Sequence, residues 1–395
     1  MQAERSFLPM RIFLLIRNAL VLLLLLGALA PAARADDTLG RGADELTPEV
    51  VAAVDGALGW LARRQNDDGS WKADVGFKLN QNYEVTEDNK PHVGVTSLAA
   101  LAFLAAGHLP GRGGYGDNLE RAVGYLLRHV NEEGYVTDNG TRMYSHAFAT
   151  LLLAEVYGMT GRADIRDKLQ AAVDLIVECQ NAEGSWRYVP FAVESDMSIT
   201  VCQLNALRAA RNIGIRVPRS TIDRASAYIA RSYIEQDSSP RFMFSDYYKL
   251  GRGAFKYQAQ RDTRSSFALT AAGLAALHNA GMYGSNLATV EGVGDDIDLA
   301  ASIDFLKDHY ESVSSGPYRF HYFYWYGHYY ATQALYVIGG EPWRWYYPRV
   351  RRELLDAQAE DGSLPCTIGP GTAFSTSVGA LILALPYGYL PIFTR

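Results

Sequence analysis

A short phrase that returns along the chain constrains the fold more than any other feature. Residues 65–71 read QNDDGSW, residues 180–186 read QNAEGSW, and a degraded copy, QAEDGSL, occupies residues 358–364. A weaker echo, NEEGY, stands at residues 131–135. Each copy ends an amphipathic stretch and precedes a loop and a run of small apolar residues. The chain is therefore expected to be an array of one repeated unit.

Two kinds of predicted helix alternate along the chain. In the amphipathic kind, apolar residues such as Leu169, Val173 and Ile176 recur at helical spacing with charged residues between them. The second kind is apolar on nearly every face and mostly stops at a glycine, as a buried helix with a glycine C-cap does. The six runs of this second kind cover residues 97–106, 146–157, 198–213, 266–280, 329–338 and 375–385.

Six helices of each kind favour an all-α fold, a closed (α/α)6 toroid with buried helices inside and amphipathic helices outside. An open helical array needs polar caps at its ends. The last segment, residues 380–393, is apolar and is therefore predicted to pack on the first repeat. No strong domain boundary interrupts the pattern, so residues 36–395 are predicted to form a single domain.

The first 35 residues are predicted to be a secretory signal peptide. Arg5, Arg11 and Arg17 precede an apolar run over residues 19–30, and Ala33 and Ala35 form a small-x-small cleavage site. The run is short for a membrane span, and no later stretch is long enough to be one. We therefore expect cleavage after Ala35 and an exported protein, whether periplasmic, envelope-bound or secreted, with no transmembrane segment after cleavage.

The net charge limits the classes of partner that we expect, and the cysteine content limits the disulfides. The chain has 37 Lys and Arg against 43 Asp and Glu, and the signal peptide removes four arginines and one glutamate, so the mature part has 33 against 42 and a net charge of −9. This balance excludes nucleic acid as an expected partner. Three cysteines, Cys179, Cys202 and Cys366, supply no disulfide framework, although a Cys179–Cys202 pair stays open if their helices meet.

The repeated phrase resembles the Q-x-x-x-G-x-W hallmark of the squalene cyclase and prenyltransferase repeat superfamily. The resemblance covers nearly all of the mature chain and is greatest to short exported bacterial proteins of this superfamily. The segments MYSHA at residues 143–147, YWYGH at residues 324–328, FST at residues 374–376 and YLP at residues 389–391 look like that group. The resemblance implies a terpenoid cyclase-like α/α toroid that binds an apolar, isoprenoid-like ligand in its cavity.

The acid motif of that superfamily is incomplete in this chain. Triterpene cyclases protonate their substrate with an aspartic acid in a D-x-D-D-T-A motif at the start of a buried helix. The matching residues 193–198 read VESDMS, so that only the last aspartate survives, as Asp196, and Ser195 replaces the acid. A hydroxyl does not protonate an alkene. The sequence favours Asp196 as the N-cap of the helix from Ser198 and leaves open a carboxylate at the cavity mouth.

Two histidines and an aromatic run complete the candidate site. His146 and His328 each open a buried helix, so both are expected to lie on the rim of one mouth of the central cavity. Together with Asp196 they are the predicted catalytic residues. Aromatic faces stabilise cations, and tyrosines also pack a ring with their hydroxyls at its wet end. The predicted ligand-binding residues are Tyr144, Tyr322, Tyr324, Trp325, Tyr326, Tyr329 and Tyr330.

No metal or cofactor is predicted. The acidic cluster Asp295, Asp296 and Asp298 lacks the spacing of a diphosphate-binding motif and fits a solvated helix N-terminus better. The superfamily's prenyltransferases bind zinc through Asp, Cys and His. Here Asp196, His146, His328 and Cys202 all lie near buried-helix starts, but no paired ligand spacing supports a zinc site.

Three functions stay open at this point. The first is binding of an apolar, isoprenoid-like ligand, with catalysis unproven. The second is a non-catalytic scaffold that binds an envelope protein or glycan. The third is a polysaccharide lyase or hydrolase with Asp196, His146 and the tyrosines as its acid–base set. An open aromatic cleft is typical of sugar enzymes, and a closed pocket is typical of lipid binding.

Overall fold

The computed structural model describes residues 45–236, 248–260, 264–279 and 297–393. The predicted signal peptide, Asp295 and Asp296 lie outside these residues. Within them, six outer helices alternate with six inner ones. The outer helices are α1 (Pro48–Arg64), α3 (Gly116–Arg128), α5 (Ala163–Glu178), α7 (Arg219–Arg231), α9 (Leu299–Asp308) and α11 (Gly340–Ala357). The inner helices are α2 (Val93–Ala105), α4 (Met143–Thr160), α6 (Met197–Asn212), α8 (Phe267–Asn279), α10 (Tyr322–Ile338) and α12 (Thr372–Ala384).

The inner helices form a closed ring, which confirms the predicted toroid. Each packs against the next in chain order, and α12 packs back onto α2, while α11 contacts α1 in the outer layer. Small and apolar residues on every face let an inner helix be buried all round, and no residue of α2 is exposed. The ring therefore has no free end that would need a polar cap.

The glycine of the repeated phrase explains how neighbouring outer helices approach each other. Gly69 has φ +93°, and a Cβ there would lie 2.1 Å from the Arg121 carbonyl oxygen of α3. Only glycine adopts this conformation and leaves room for that backbone. The same contact with the next outer helix recurs at Gly134, Gly184, Gly253 and Gly362. At the last of these, a Cβ on Gly362 would lie 2.2 Å from the Gly56 carbonyl oxygen of α1, so the degraded copy closes the ring.

The glutamine and tryptophan of the phrase bind backbone at the same junctions. Gln65, Gln180 and Gln358 each donate from Nε2 to the carbonyl of their own glycine and to a carbonyl of the next outer helix, at 2.8–3.0 Å. Trp71 and Trp186 donate from Nε1 to a carbonyl near the end of their own outer helix, at 2.8 and 2.7 Å. The carbonyls that accept from the tryptophans lie at helix ends, where they lack partners within the helix. The glutamine bonds join neighbouring outer helices, so both kinds of bond stabilise the array.

A β-hairpin between α1 and α2 is the main element that sequence analysis did not predict. Strand β1 (Lys72–Leu79) pairs antiparallel with β2 (Asn82–Pro91), with irregular register between Ala73 and Gly76. The second strand is mostly exposed and rich in charged residues, so its sequence looks like a loop. The hairpin supplies part of the cavity wall described below.

The described cysteines are unpaired, so Cys179 and Cys202 form no disulfide. Instead, the Cys202 sulfur lies 3.1 Å from the Tyr330 hydroxyl. No helix in the described ranges is long and apolar enough to cross a membrane.

Candidate functional site

A cavity of about 210 Å³ lies where the inner helices begin. Each inner helix contributes at least one residue from its first turns to the wall, so six helix N-termini meet at one cavity. Strand β1 adds the stretch from Val75 to Lys78. The residues contributed by α2, α4, α6, α8, α10 and α12 include Val95, Ser145, Ser198, Leu269, Phe323 and Phe374.

Aromatic side chains dominate the cavity wall. Lys78, Arg142 and His92 also line it, and no aspartate or glutamate of the described residues does. Burial lowers the pKa of His92 to about 4, so of these three only Lys78 and Arg142 are charged near neutral pH. An apolar concave surface with a few polar groups is the usual form of a small-molecule site. The aromatic residues in the wall are Phe77, Tyr83, Tyr144, Phe148, Tyr188, Tyr248, Tyr257, Tyr322, Phe323, Trp325, Tyr326, Tyr329 and Phe374.

The predicted ligand-binding residues divide into two groups. Tyr144, Tyr322, Trp325, Tyr326 and Tyr329 line the cavity. The α10 members of this set recur at helical spacing and therefore share one face of that helix.

Tyr324 and Tyr330 do not line the cavity. Tyr324 donates a 3.1 Å hydrogen bond to Glu353 of the outer helix α11, and Tyr330 lies behind Tyr326 against Cys202. Tyr324 is two positions from Tyr322 and Tyr326 in a helix of 3.6 residues per turn, so it faces away from them.

The two candidate histidines lie outside the cavity, because their rings turn toward the outer layer. The His146 Nδ1 accepts a 3.1 Å hydrogen bond from Val136 N, and its Nε2 lies 3.2 Å from the Ala172 carbonyl oxygen. The His328 nitrogens lie 2.9 Å from the Ser314 and Tyr346 hydroxyls. Burial lowers the pKa of His146 to about 4 and that of His328 to about 3. Both neutral rings therefore connect inner helices to the outer layer and do not lie at the rim of the cavity.

Asp196 is the N-cap of α6 and is fully buried. Its Oδ1 accepts hydrogen bonds from Ser198 N at 2.8 Å, from Ile199 N at 3.2 Å and from Ser198 Oγ at 2.5 Å. Its Oδ2 has no hydrogen-bond partner within the described part of the chain. The N-cap geometry that the sequence favoured is therefore present.

Hydroxyl groups connect this buried carboxylate to the cavity. Tyr144 donates a 2.6 Å hydrogen bond to Ser198 Oγ, and both residues line the cavity. The hydroxyls of Tyr188 and Tyr257, also in the wall, lie 2.5 Å apart. Burial and then the Asp196 charge raise the pKa of both phenols well above their usual range. These tyrosines therefore stay protonated and act as hydrogen-bond donors.

Sequence analysis did not identify Ser198, Tyr188 or Tyr257 as site residues. Tyr188 and Tyr257 stand in loops between helices, 69 positions apart. No local pattern marks a loop tyrosine as facing a cavity, and only the closure of the ring brings these two together. Ser198 carried a weak signal, since it follows the aspartate that aligns with the acid motif.

The two basic residues are held by aromatic rings. Lys78 Nζ donates a 2.7 Å hydrogen bond to the Tyr248 hydroxyl and lies 5.0 and 5.1 Å from the ring centroids of Tyr257 and Phe323. The Arg142 guanidinium lies 4.5 Å from the ring of Phe77. Such cation–π contacts position a cation without neutralising its charge.

The candidate zinc ligands do not converge. His146, His328 and Cys202 are each engaged by the separate partners given above, and Asp196 caps its own helix. Across the described ranges, no three His, Cys, Asp or Glu side chains are placed to hold one metal ion.

Comparison with known proteins shows the fold alone. No protein-family model matches the chain, and no curated protein matches it. An inactive variant of an alpha-1,6-mannanase of Salegentibacter sp. HEL1_6, in complex with alpha-1,6-mannotriose, matches with a TM-score of 0.56 at 9% identity, over 86% of this chain and 99% of its own.

Two further solved structures are similar. A variant of the type II terpene cyclase MstE from Scytonema, in complex with geranylgeranyl dihydroxybenzoate, matches with a TM-score of 0.51 at 13% identity, over 87% of this chain and 98% of its own. An unsaturated glucuronyl hydrolase specific for heparin matches with a TM-score of 0.54 at 10% identity, over 86% and 97%. The chain thus has an α/α toroid fold that serves both glycan and terpenoid chemistry in other proteins, so the fold leaves the ligand class open.

Proposed function

We propose that this protein binds an apolar, isoprenoid-like ligand in the cavity at the centre of its helical ring. The observation that carries the proposal is the wall itself, in which aromatic and aliphatic side chains from five of the six inner helices surround one small volume, and the sixth, α6, contributes Ser198. Each Å² of apolar ligand surface buried there contributes about 25 cal/mol to binding. With the predicted signal peptide, the proposal has this binding take place outside the cytoplasm.

The carboxylate content of the wall argues for ligand binding over glycan hydrolysis. Most glycoside hydrolases flank the scissile bond with two carboxyl groups. In the described part of this chain the cavity wall holds none, and Asp196 lies behind Ser198. The hydrolase alternative therefore lacks its usual pair of side chains here.

One observation favours a second candidate, proton-transfer chemistry on a glycan of the lyase type. The hydroxyls of Tyr144, Tyr188 and Tyr257 face the cavity beside Asp196, and tyrosine is an established proton donor in catalysis. Such an enzyme would bind a sugar in the same wall, so a binding experiment separates the two candidates.

Native mass spectrometry of the mature protein, purified from its own cell envelope, tests the proposal. We expect a bound lipid of discrete mass on the wild-type chain. Phe148→Ala removes an aromatic face of the wall and is expected to release that lipid. The control Phe191→Ala removes an exposed phenylalanine outside the wall and is expected to keep it.

Two other outcomes would contradict the proposal that the cavity binds a lipid. A wild-type protein without lipid supports the scaffold interpretation, and a bound oligosaccharide supports the lyase type. Thermal unfolding of both variants shows whether each retains the fold, so loss of lipid from a folded Phe148→Ala protein is assigned to the cavity.

A further inference from the structure

The electrostatic character of the cavity says more about its ligand than the aromatic wall does. Six helix N-termini meet at this site, and each carries about half a positive charge from its aligned peptide dipoles. Two of the helices, α4 and α12, have Arg142 and Gly371 as N-cap residues, and no side chain caps their first N–H groups. The Met143 N–H of α4 donates to the Tyr188 carbonyl oxygen at 3.0 Å. An anion is stabilised at such a position.

Two full positive charges stand at the same cavity. Lys78 and Arg142 both line it, and neither forms a salt bridge with a described carboxylate. Lys78 is half-buried, and its one hydrogen bond to a neutral phenol, Tyr248, leaves two of its three N–H donors available. Partial removal from water strengthens the attraction of such a cation for an anion.

The buried carboxylate of Asp196 offsets only part of this charge. Asp196 accepts three hydrogen bonds at the N-terminus of α6, which places its charge against that helix dipole. It is fully buried behind Ser198 and does not line the cavity. The cavity surface therefore presents positive groups and aromatic faces together.

We infer that the ligand is an amphipathic anion: an apolar body in contact with the aromatic wall and an anionic head group, a phosphate or a carboxylate, between Lys78 and Arg142. This inference rests on the proposed function and adds the charge of the ligand to it. Charge-assisted hydrogen bonds from Lys and Arg are about twice as strong as neutral ones, so the head group gives selectivity over the corresponding alcohol.

Isothermal titration calorimetry of the mature chain tests the inference with four probes: geranyl phosphate, geranate, geraniol and D-glucuronate. The phosphate or the carboxylate is expected to bind roughly tenfold more tightly than geraniol, as one charge-assisted contact predicts. The two anions distinguish the head group. Raising NaCl from 50 to 500 mM is expected to weaken the anions and to leave geraniol unchanged.

Matched lysine variants locate the effect. Lys78→Met keeps the length of the side chain, removes the charge and is expected to reduce the ratio of anion affinity to geraniol affinity roughly tenfold. Lys78→Arg is expected to retain the preference for anions. Lys72→Met changes an exposed lysine at the start of the same strand, outside the cavity wall, and is expected to alter nothing.

The outcomes separate this inference from the proposed function. Equal affinities for geraniol and both anions, or an unchanged preference in Lys78→Met, overturn the anionic head group while apolar ligand binding stands. Binding of D-glucuronate without any geranyl compound overturns both and favours an acidic glycan. Absence of binding by all four probes also overturns both.

Discussion

The Tyr144 hydroxyl donates a 2.6 Å hydrogen bond to Ser198 Oγ, which joins the N-termini of two neighbouring inner helices, α4 and α6. The serine in turn donates at 2.5 Å to Asp196 Oδ1. Burial, followed by the Asp196 charge, raises the pKa of Tyr144 well above its usual range, so the phenol stays a donor. The buried carboxylate is thus linked to the cavity wall through the Ser198 hydroxyl, which contacts it, and the Tyr144 hydroxyl, which contacts that serine.

Substitutions of Asp196 separate its capping role from its charge. Asp196→Ala removes the acceptor of two backbone N–H groups and is expected to lower the free energy of unfolding by about 1–2 kcal/mol. Asp196→Asn keeps an acceptor oxygen and is expected to lose less than about 1 kcal/mol. Urea unfolding followed by far-ultraviolet circular dichroism measures both values. Equal losses in the two variants would show that the charge, and not the cap, stabilises α6.

Closure of the ring depends on the close approach at Gly362. An added Cβ would lie 2.2 Å from the Gly56 carbonyl oxygen, at φ +93°. Gly140 has a similar φ of +79° but no atom within 4 Å of an added Cβ. Gly140→Ala therefore measures the conformational cost alone, about 1–2 kcal/mol. Gly362→Ala is expected to exceed it by about 1–3 kcal/mol in urea unfolding, since α1 must move. Similar losses would mean that the junction tolerates a shift.

The amide of Gln358 is expected to stabilise the same junction. It donates to Ala53 and Gly362 carbonyl oxygens at 2.8 and 2.9 Å. Gln358→Met keeps the size of the side chain and removes both bonds, at an expected cost of about 1–3 kcal/mol in thermal or urea unfolding. The control is Gln81→Met, because Gln81 contacts His321 through its backbone carbonyl. If Gln358→Met leaves the free energy of unfolding unchanged, apolar packing alone closes the ring.

Acid is expected to destabilise the fold through its buried histidines. Burial lowers the pKa of His328 to about 3 and that of His146 to about 4, whereas an unfolded histidine has a pKa near 6.5. Below pH 6.5 the unfolded chain binds protons that the folded chain does not. The stabilisation from each neutral ring is therefore complete above about pH 6.5 and is lost as the pH falls toward the folded value, by up to about 1.4 kcal/mol per pH unit.

The variant His328→Gln isolates this effect. We expect it to be less stable than wild type at pH 7.5, because two side-chain contacts change, and the difference is expected to shrink as the pH falls from 6.5 to 4. Comparing the two proteins removes the opposite contribution of Glu155, whose pKa burial raises to about 7. Parallel stability profiles would show that His328 titrates normally. Urea unfolding at half-unit pH steps gives the measurement.

Local patterns predicted much of the fold. Helical periodicity and glycine stops located all six inner helices, although α10 begins at Tyr322 rather than near residue 329. The first turns of α10 consist almost entirely of aromatic residues, so no change between apolar and polar residues shows where the helix begins. The fifth glycine junction, at Gly253, was missed because Arg252 precedes the glycine there, whereas an aspartate or glutamate precedes it in the other four copies. The hairpin was missed because its exposed second strand lacks an apolar face.

By itself, the sequence determined the alternation of amphipathic and buried helices and hence the closed ring, since helical period, small-residue runs and glycine junctions are short-range properties. Only the tertiary structure decided which side chains form the site. The rotation of α10 about its axis turns Tyr326 inward and Tyr324 outward, and that rotation is fixed by packing against both neighbours. Tyr188 contacts Tyr257, and Lys78 reaches the cavity, only because loops and a hairpin meet when the ring closes. Contacts between such distant segments follow from the packing of the whole fold, and no local sequence pattern predicts them.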